Sequence, residues 1–203
     1  MSFDGPSTHS QQIGVRGRVV QEFCTLAQTH GASGPFLDIG VGLPDESILL
    51  EDQFKGEDRH AIGPHPSAEV GGVVYSRGNP NDMRDLYQDG QFATVFWNGA
   101  LAQDKFFWRS LEEIKRVLAP EGILFVSAPT FAKTARFGVK VVGAKGNEIP
   151  NATVTARAQE ALADYLRFSP KAIRDVIFDG FDVKEVRIAF VVPRVFGAGV
   201  KKG

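Results

Sequence analysis

A chain of 203 residues with 43% hydrophobic and 23% charged side chains carries enough apolar material for one well-filled core and too much for a disordered polymer. A formal charge of −1 supplies no field to draw in nucleic acid or an anionic membrane surface, and no segment has the uninterrupted apolar length of a membrane span. The single cysteine, Cys24, excludes an internal disulfide, and the first residues lack a basic-then-apolar leader pattern, so a cytoplasmic protein is expected.

Residues 1–13 are polar, include Gly5, Pro6 and Ser7, and read as a flexible arm ahead of one domain over 14–203. From Gly14 to His30, Val15, Val19, Phe23 and Leu26 recur at helical spacing, and glycines at 31 and 34 end the pattern. Cys24 falls inside that helix, a setting for a small buried residue rather than a nucleophile. Next, the apolar run Pro35–Ile39 contains Asp38 and leads into Gly40 and Gly42, then Pro44, Asp45, Glu46 and Ser47. That order predicts a strand, a tight turn and a helix start, with the helix continuing through Ser47–Phe54. α/β proteins hold nucleotide-like cofactors at such a turn. A dinucleotide fingerprint would need glycine at position 45, where Asp45 is followed by Glu46. Both carboxylates oppose a pyrophosphate, which disfavours a nicotinamide oxidoreductase, whereas a ligand of net positive charge suits the acidic turn.

Ala61-Ile62 and Val73–Tyr75 predict short strands. Phe92–Trp97 is an aromatic and β-branched strand, and Phe107, Leu111, Ile114 and Leu118 line one face of a helix over 106–118. Pro120-Glu121-Gly122 stops that helix, and Ile123–Val126 is a continuous apolar run suited to a strand covered on both faces. From 130 to 155 the pattern loosens. Val139–Val142 outlines a strand, but nearby glycines and Pro150 favour an irregular excursion. It is either a solvated loop or a lid whose Lys133, Arg136, Lys140 and Lys145 would receive an anionic substrate. An amphipathic helix follows over 157–166, and Ser169-Pro170 opens another that runs to Phe178, serine serving as N-cap and proline as its first residue. Tyr75, Tyr87, Trp97 and Trp108 are core aromatics or stacking platforms. No metal-ligand spacing, GxSxG or P-loop occurs in the sequence.

Asp38-x-Gly40-x-Gly42 after an apolar strand resembles motif I of the class I S-adenosylmethionine (SAM)-dependent methyltransferases, in particular those similar to methyltransferase type 11. Phe92–Pro129 resembles the fourth strand, following helix and fifth strand of that family, and EEIKRVLAPEGILFVSAP is similar to its "EIxRVLxPGGxLxxSxP". The resemblance spans 35–130, with a looser match where FSPKAIRDVIFDGFDVKEVRIAFVV resembles the last helix and two closing antiparallel strands, the second at Val186–Val192. It leaves 193–203 as a glycine-rich, basic tail. The implied fold is a Rossmann-like three-layer α/β/α sandwich with a mostly parallel seven-stranded sheet and an antiparallel last strand.

The implied activity is SAM-dependent methyl transfer to a small-molecule or sugar-derived metabolite, with SAM over the Asp38–Gly42 turn. His65, within RHAIGPHPS, stands where the family commonly has an acid for the ribose hydroxyls. Asp82, in NDMRDL, matches the acid that meets the adenine amino group, and Met83 its neighbour against the ring. Asn98 and Gly99 end the fourth strand beside the cofactor, and Asn98 and Gln103 are candidates for positioning substrate. Neither amide titrates, but methyl transfer to an already nucleophilic atom needs chiefly proximity and in-line alignment. His65, Ala93, Gln103 and Pro44 all depart from the family pattern and keep a second reading open, a catalytically inactive methyltransferase-fold protein acting as a binding or regulatory subunit. The partners expected are a small-molecule substrate and either a second copy of the chain or another protein, with neither nucleic acid nor membrane.

Overall fold

The computed structural model describes residues 15–98, 100–130, 166–189 and 194–203. The expected N-terminal arm, Gly99, nearly all of the 130–155 excursion and the 157–166 helix except Leu166 lie outside the described residues.

Alternation along three central strands sets up two cores. In β1 (Phe36–Ile39), Phe36 joins one apolar cluster while Leu37 and Ile39 join the other. β5 (Phe92–Asn98) divides Phe96 from Val95 and Trp97 in the same way, and β6 (Leu118–Pro129) divides Phe125 from Leu124 and Val126. The first cluster is covered by α1 (Val15–Thr29) through Val19, Phe23, Leu26 and Ala27. Its rings meet mostly edge to face, Phe23 on Phe96 at 5.8 Å and Phe36 on Phe54 at 5.2 Å, an arrangement that satisfies the ring quadrupoles. The second cluster is covered by α3 (Phe107–Val117), which buries Leu111, Ile114 and Val117.

With β2 (Arg59–Gly63), β3 (Ala68–Val70), β4 (Val73–Arg77), β7 (Phe181–Ala189) and β8 (Arg194–Lys201), the sheet has eight strands in the order β3-β4-β2-β1-β5-β6-β8-β7. β4, β2, β1, β5 and β6 pair in parallel, and β8 runs antiparallel to both β6 and β7. This is the expected Rossmann-like architecture with one more strand than expected. The addition, β3, folds back antiparallel on the outer edge of β4. The opposite edge, β7, carries Lys184, Glu185 and Arg187 and a register shift between Val183 and Glu185. Arg187 pairs with Glu22 of α1, and His30 Nε2 lies 3.0 Å from Glu185.

Two expectations are corrected. Pro44–Glu46, Ile48–Leu50 and Asp52–Phe54 form three separate 3-10 turns, where a continuous helix was expected. Ser47, Glu51 and Lys55 between and after them are extended, with ψ of 137°, 145° and 145°. The cause begins at Asp38, whose carboxylate accepts from Ser47 Oγ at 2.8 Å and from the Ile48 amide at 2.9 Å. Ser47 Oγ in turn accepts from the Leu49 amide. Those bonds take amides that an α-helix would have used and hold Ser47 extended.

The second correction concerns the end of the sequence. Phe181–Ala189 is one uninterrupted strand, and the supposed tail is β8, an interior strand. Its glycines make room for a ring. A Cβ at Gly197 or Gly199 would stand 2.6 or 2.7 Å from Phe178, which follows α4 (Pro170–Ala172) and its π-helical continuation Ile173–Ile177. Ser169 caps α4 as expected, accepting from the Ala172 amide at 3.1 Å.

Candidate functional site

Parallel pairing brings the ends of β1, β2, β4 and β5 to one edge of the sheet, the place where open α/β sheets bind ligands. Most of the residues singled out in the sequence come to that edge.

At the end of β1, Asp38 is buried and its carboxylate orients the following segment through Ser47 and Ile48. Gly40 has φ +79° and packs so tightly that a Cβ there would fall 2.0 Å from that of Ala100. Only glycine fits both that dihedral and that approach. The amides of Gly40 and Val41 both donate to Ile62 O, fastening the turn to β2. Gly42 is exposed, and a Cβ there would lie 2.8 Å from Glu46 Oε2. The same carboxylate oxygen accepts from the Leu43 amide at 3.2 Å. Pro44 fits the first position of its 3-10 turn, where a missing N–H costs little.

A residue whose polar role sequence reasoning missed holds three strand ends together. The Tyr75 ring is buried in the core, and its hydroxyl donates to Val41 O and accepts from the His65 amide, each at 3.2 Å. A Cβ at Gly63 would collide with both Val41 O and this hydroxyl. The sequence signal was Tyr75 itself, a phenol that follows two valines and requires a partner when buried. The His65 side chain is exposed on the loop leaving β2.

Asp82 is exposed on a tight turn closed by its amide to Asn79 O, while the neighbouring Asn81 reaches inward. Asn81 Nδ2 donates to Asp104 at 2.8 Å and to Ser110 Oγ at 2.6 Å, and Ser110 also donates to Asp104. This polar knot joins the loop after β4 to the junction between α2 (Ala100–Gln103) and α3. Met83 is fully buried in the core, and its amide donates to Glu113 at 2.7 Å. Glu113 also receives Arg116 through Nε and Nη2, and that guanidinium beside it holds its carboxyl below the usual carboxylate range.

At the end of β5, Asn98 lies opposite Ser127 of β6, and its Oδ1 is buried with no hydrogen-bond partner among the described residues. Trp97 Nε1, one residue earlier, is likewise buried with no partner among the described residues. Buried polar atoms of this kind are uncommon in folded proteins. Gln103 is exposed at the end of α2, and Ala93 sits in β5 at the far end from the turn. Among the described residues no group of three metal-ligating side chains occurs, and no described helix is long and apolar enough to cross a membrane.

No family model matches the chain, and no curated protein matches it in sequence. Its shape is far more telling. A SAM-dependent methyltransferase of Thermotoga maritima, described as a possible histamine N-methyltransferase, superposes with a TM-score of 0.58 at 18% identity, covering 91% of this chain and 97% of that one. A methyltransferase of Haloferax volcanii, solved in complex with the Trm112 methyltransferase activator, gives 0.61 at 15% identity over 92% and 93%. Phosphoethanolamine N-methyltransferase 2 of Haemonchus contortus, solved with SAM bound, gives 0.62 at 14% identity over 90% of this chain and 52% of that one. The chain therefore has the class I methyltransferase fold.

Proposed function

We propose that the protein binds SAM over the Asp38–Gly42 turn and transfers its methyl group to a small-molecule acceptor. The observation that carries the reading is the turn. Gly40 admits no side chain against Ala100, Gly42 is exposed, and Asp38 holds the end of the loop at Ser47 and Ile48. A glycine-walled, acid-rimmed turn at the end of the first strand suits a cationic, phosphate-free cofactor.

When bound, SAM supplies an electrophilic methyl carbon on a sulfonium; the acceptor's lone pair forms the new bond and the sulfur leaves with the old one as a thioether. The chain's part is orientation. Asn98 Oδ1, buried and without a partner among the described residues, would accept a hydrogen bond from the acceptor or from the cofactor, fixing the reacting atoms in line. His65 and Asp82 would meet the ribose and the base from the loops after β2 and β4. Asn81, held by Asp104 and Ser110, would keep the second of these loops in place. Met83 would act through the shape of its loop, because its side chain is buried. Gly99 and Gln103, the latter at the end of α2, complete the proposed set.

A second reading, a non-catalytic binding or regulatory subunit, is favoured by the exposed imidazole at position 65, where a bidentate carboxylate would grip both ribose hydroxyls. The Haloferax volcanii neighbour, solved with an activator, supports the idea of a protein partner for this fold. Calorimetric titration with SAM and S-adenosylhomocysteine separates the two. Micromolar binding is expected, followed by methyl transfer in an acceptor screen. Absence of heat and of thermal stabilisation at millimolar ligand would overturn the SAM reading and favour a search for a protein partner.

A further inference from the structure

We propose that Glu46, rather than Asp38, is the carboxylate that receives the positively charged amino group of the cofactor, an inference that rests on the SAM reading above. Asp38 is the acid at the end of β1 beside the two glycines, but it is 3% exposed and its carboxylate is engaged inside the protein by Ser47 Oγ and the Ile48 amide. An ammonium group approaching the turn from solvent would have to dismantle those bonds and the 3-10 turn that depends on them. Asp45 is exposed but borders a different space, a cleft of about 470 Å³ between α1 and the 3-10 turns. Glu46 is half-buried and folds back over the turn itself. Its Oε2 accepts from the Leu43 amide and stands 2.8 Å from the position of a Cβ on Gly42. Gly42 and Leu43 are both exposed, so this oxygen lies against the face of the turn that a ligand would enter.

The geometry couples position 42 to this carboxylate, because a Cβ there would push the flexible Glu46 side chain off the turn. It also makes the turn selective by charge: an alkylammonium gains a partner, while a phosphate meets a fixed negative charge at short range. A half-exposed ion pair of this kind is worth a modest change in affinity, about threefold to tenfold.

Glu46→Gln removes the charge and keeps the shape. The test compares SAM with 5′-methylthioadenosine, which has the same nucleoside but neither the amino nor the carboxyl group, by calorimetric titration of wild type and variant. The expected result is a threefold to tenfold loss of SAM affinity in E46Q, with methylthioadenosine affinity changed by less than twofold. Glu46→Asp, which retains the charge with a shorter reach, should fall between the two. Unchanged SAM affinity in E46Q, an equal loss for both ligands, or a gain in SAM affinity would each overturn the assignment while leaving the SAM reading intact. A wild-type protein that binds neither ligand would remove the SAM reading and this assignment with it.

Discussion

The β5-α3-β6 segment and the stretch from Gly40 to Lys55 lie in the same sheet protein but are held in different ways. In the first, Ile114, Val117, Val95, Leu124 and Val126 are buried together, and the segment takes its form from apolar contact spread over many residues. In the second, one buried carboxylate on Asp38 gathers a serine hydroxyl and a backbone amide and interrupts a helix that the sequence otherwise favours. The difference shows where rigidity and where adaptability lie. A scaffold of distributed contacts tolerates local change, whereas a loop held by a few polar bonds is fixed by them and is also released by them.

That contrast is open to direct tests. Ile114→Ala in the apolar region should cost about 3 to 4 kcal/mol and lower the stability of the whole domain, read as one cooperative denaturant transition. Loss confined to α3 would break the comparison. Asp38→Ala should cost about 2 kcal/mol, with its signature local: the Ile48 and Leu49 amides should exchange well before global unfolding. Uniform exchange would show that the 3-10 turns do not depend on the carboxylate.

Glu113 tests a polar tie inside the otherwise apolar region. Its folded-state carboxyl lies below the ordinary value of 4.5, chiefly because of its hydrogen bonds from Arg116, so its stabilisation is complete above that value and is lost as pH falls through the lowered one. Glu113→Gln should therefore cost about 1.5 kcal/mol at neutral pH, and the gap between variant and wild type should close in acid below pH 4.5. The smallest effect is expected at Cys24, whose thiol is pushed up to about 11 by burial and by Glu51. At pH 8 its alkylation should be roughly a hundredfold slower than that of a free thiol of ordinary pKa 9.0, with no change in stability on Cys24→Ser beyond about 0.5 kcal/mol.

The sequence was most readable where periodicity and burial coincide. Val19, Phe23 and Leu26 announced α1, and the run from Phe92 to Val126 announced strand, helix and strand, because each pattern is the direct imprint of a covered face. Asp38 and Gly40 were legible as a strand end and tight turn because each meets a local need, a buried anchor at Asp38 and a close backbone approach at Gly40. The reading failed where a long-range side-chain bond decided the backbone. Nothing in Ser47–Phe54 states that Asp38 will take the Ile48 amide, and nothing in Gly197 and Gly199 states that Phe178 will need their missing side chains. The hydroxyl of Tyr75 escaped notice because its partners, Val41 O and the His65 amide, belong to two other strand ends.

The two margins of the sheet also limit how the protein can assemble. β3 offers three residues, and β7 presents lysine, glutamate and arginine across an interrupted register while being tied back to α1. Neither margin is a template on which a second copy could continue the hydrogen-bond ladder, so growth into ribbons or fibrils is resisted at both ends. At the two described edges, contacts between folded copies through helices or loops are favoured over shared strands.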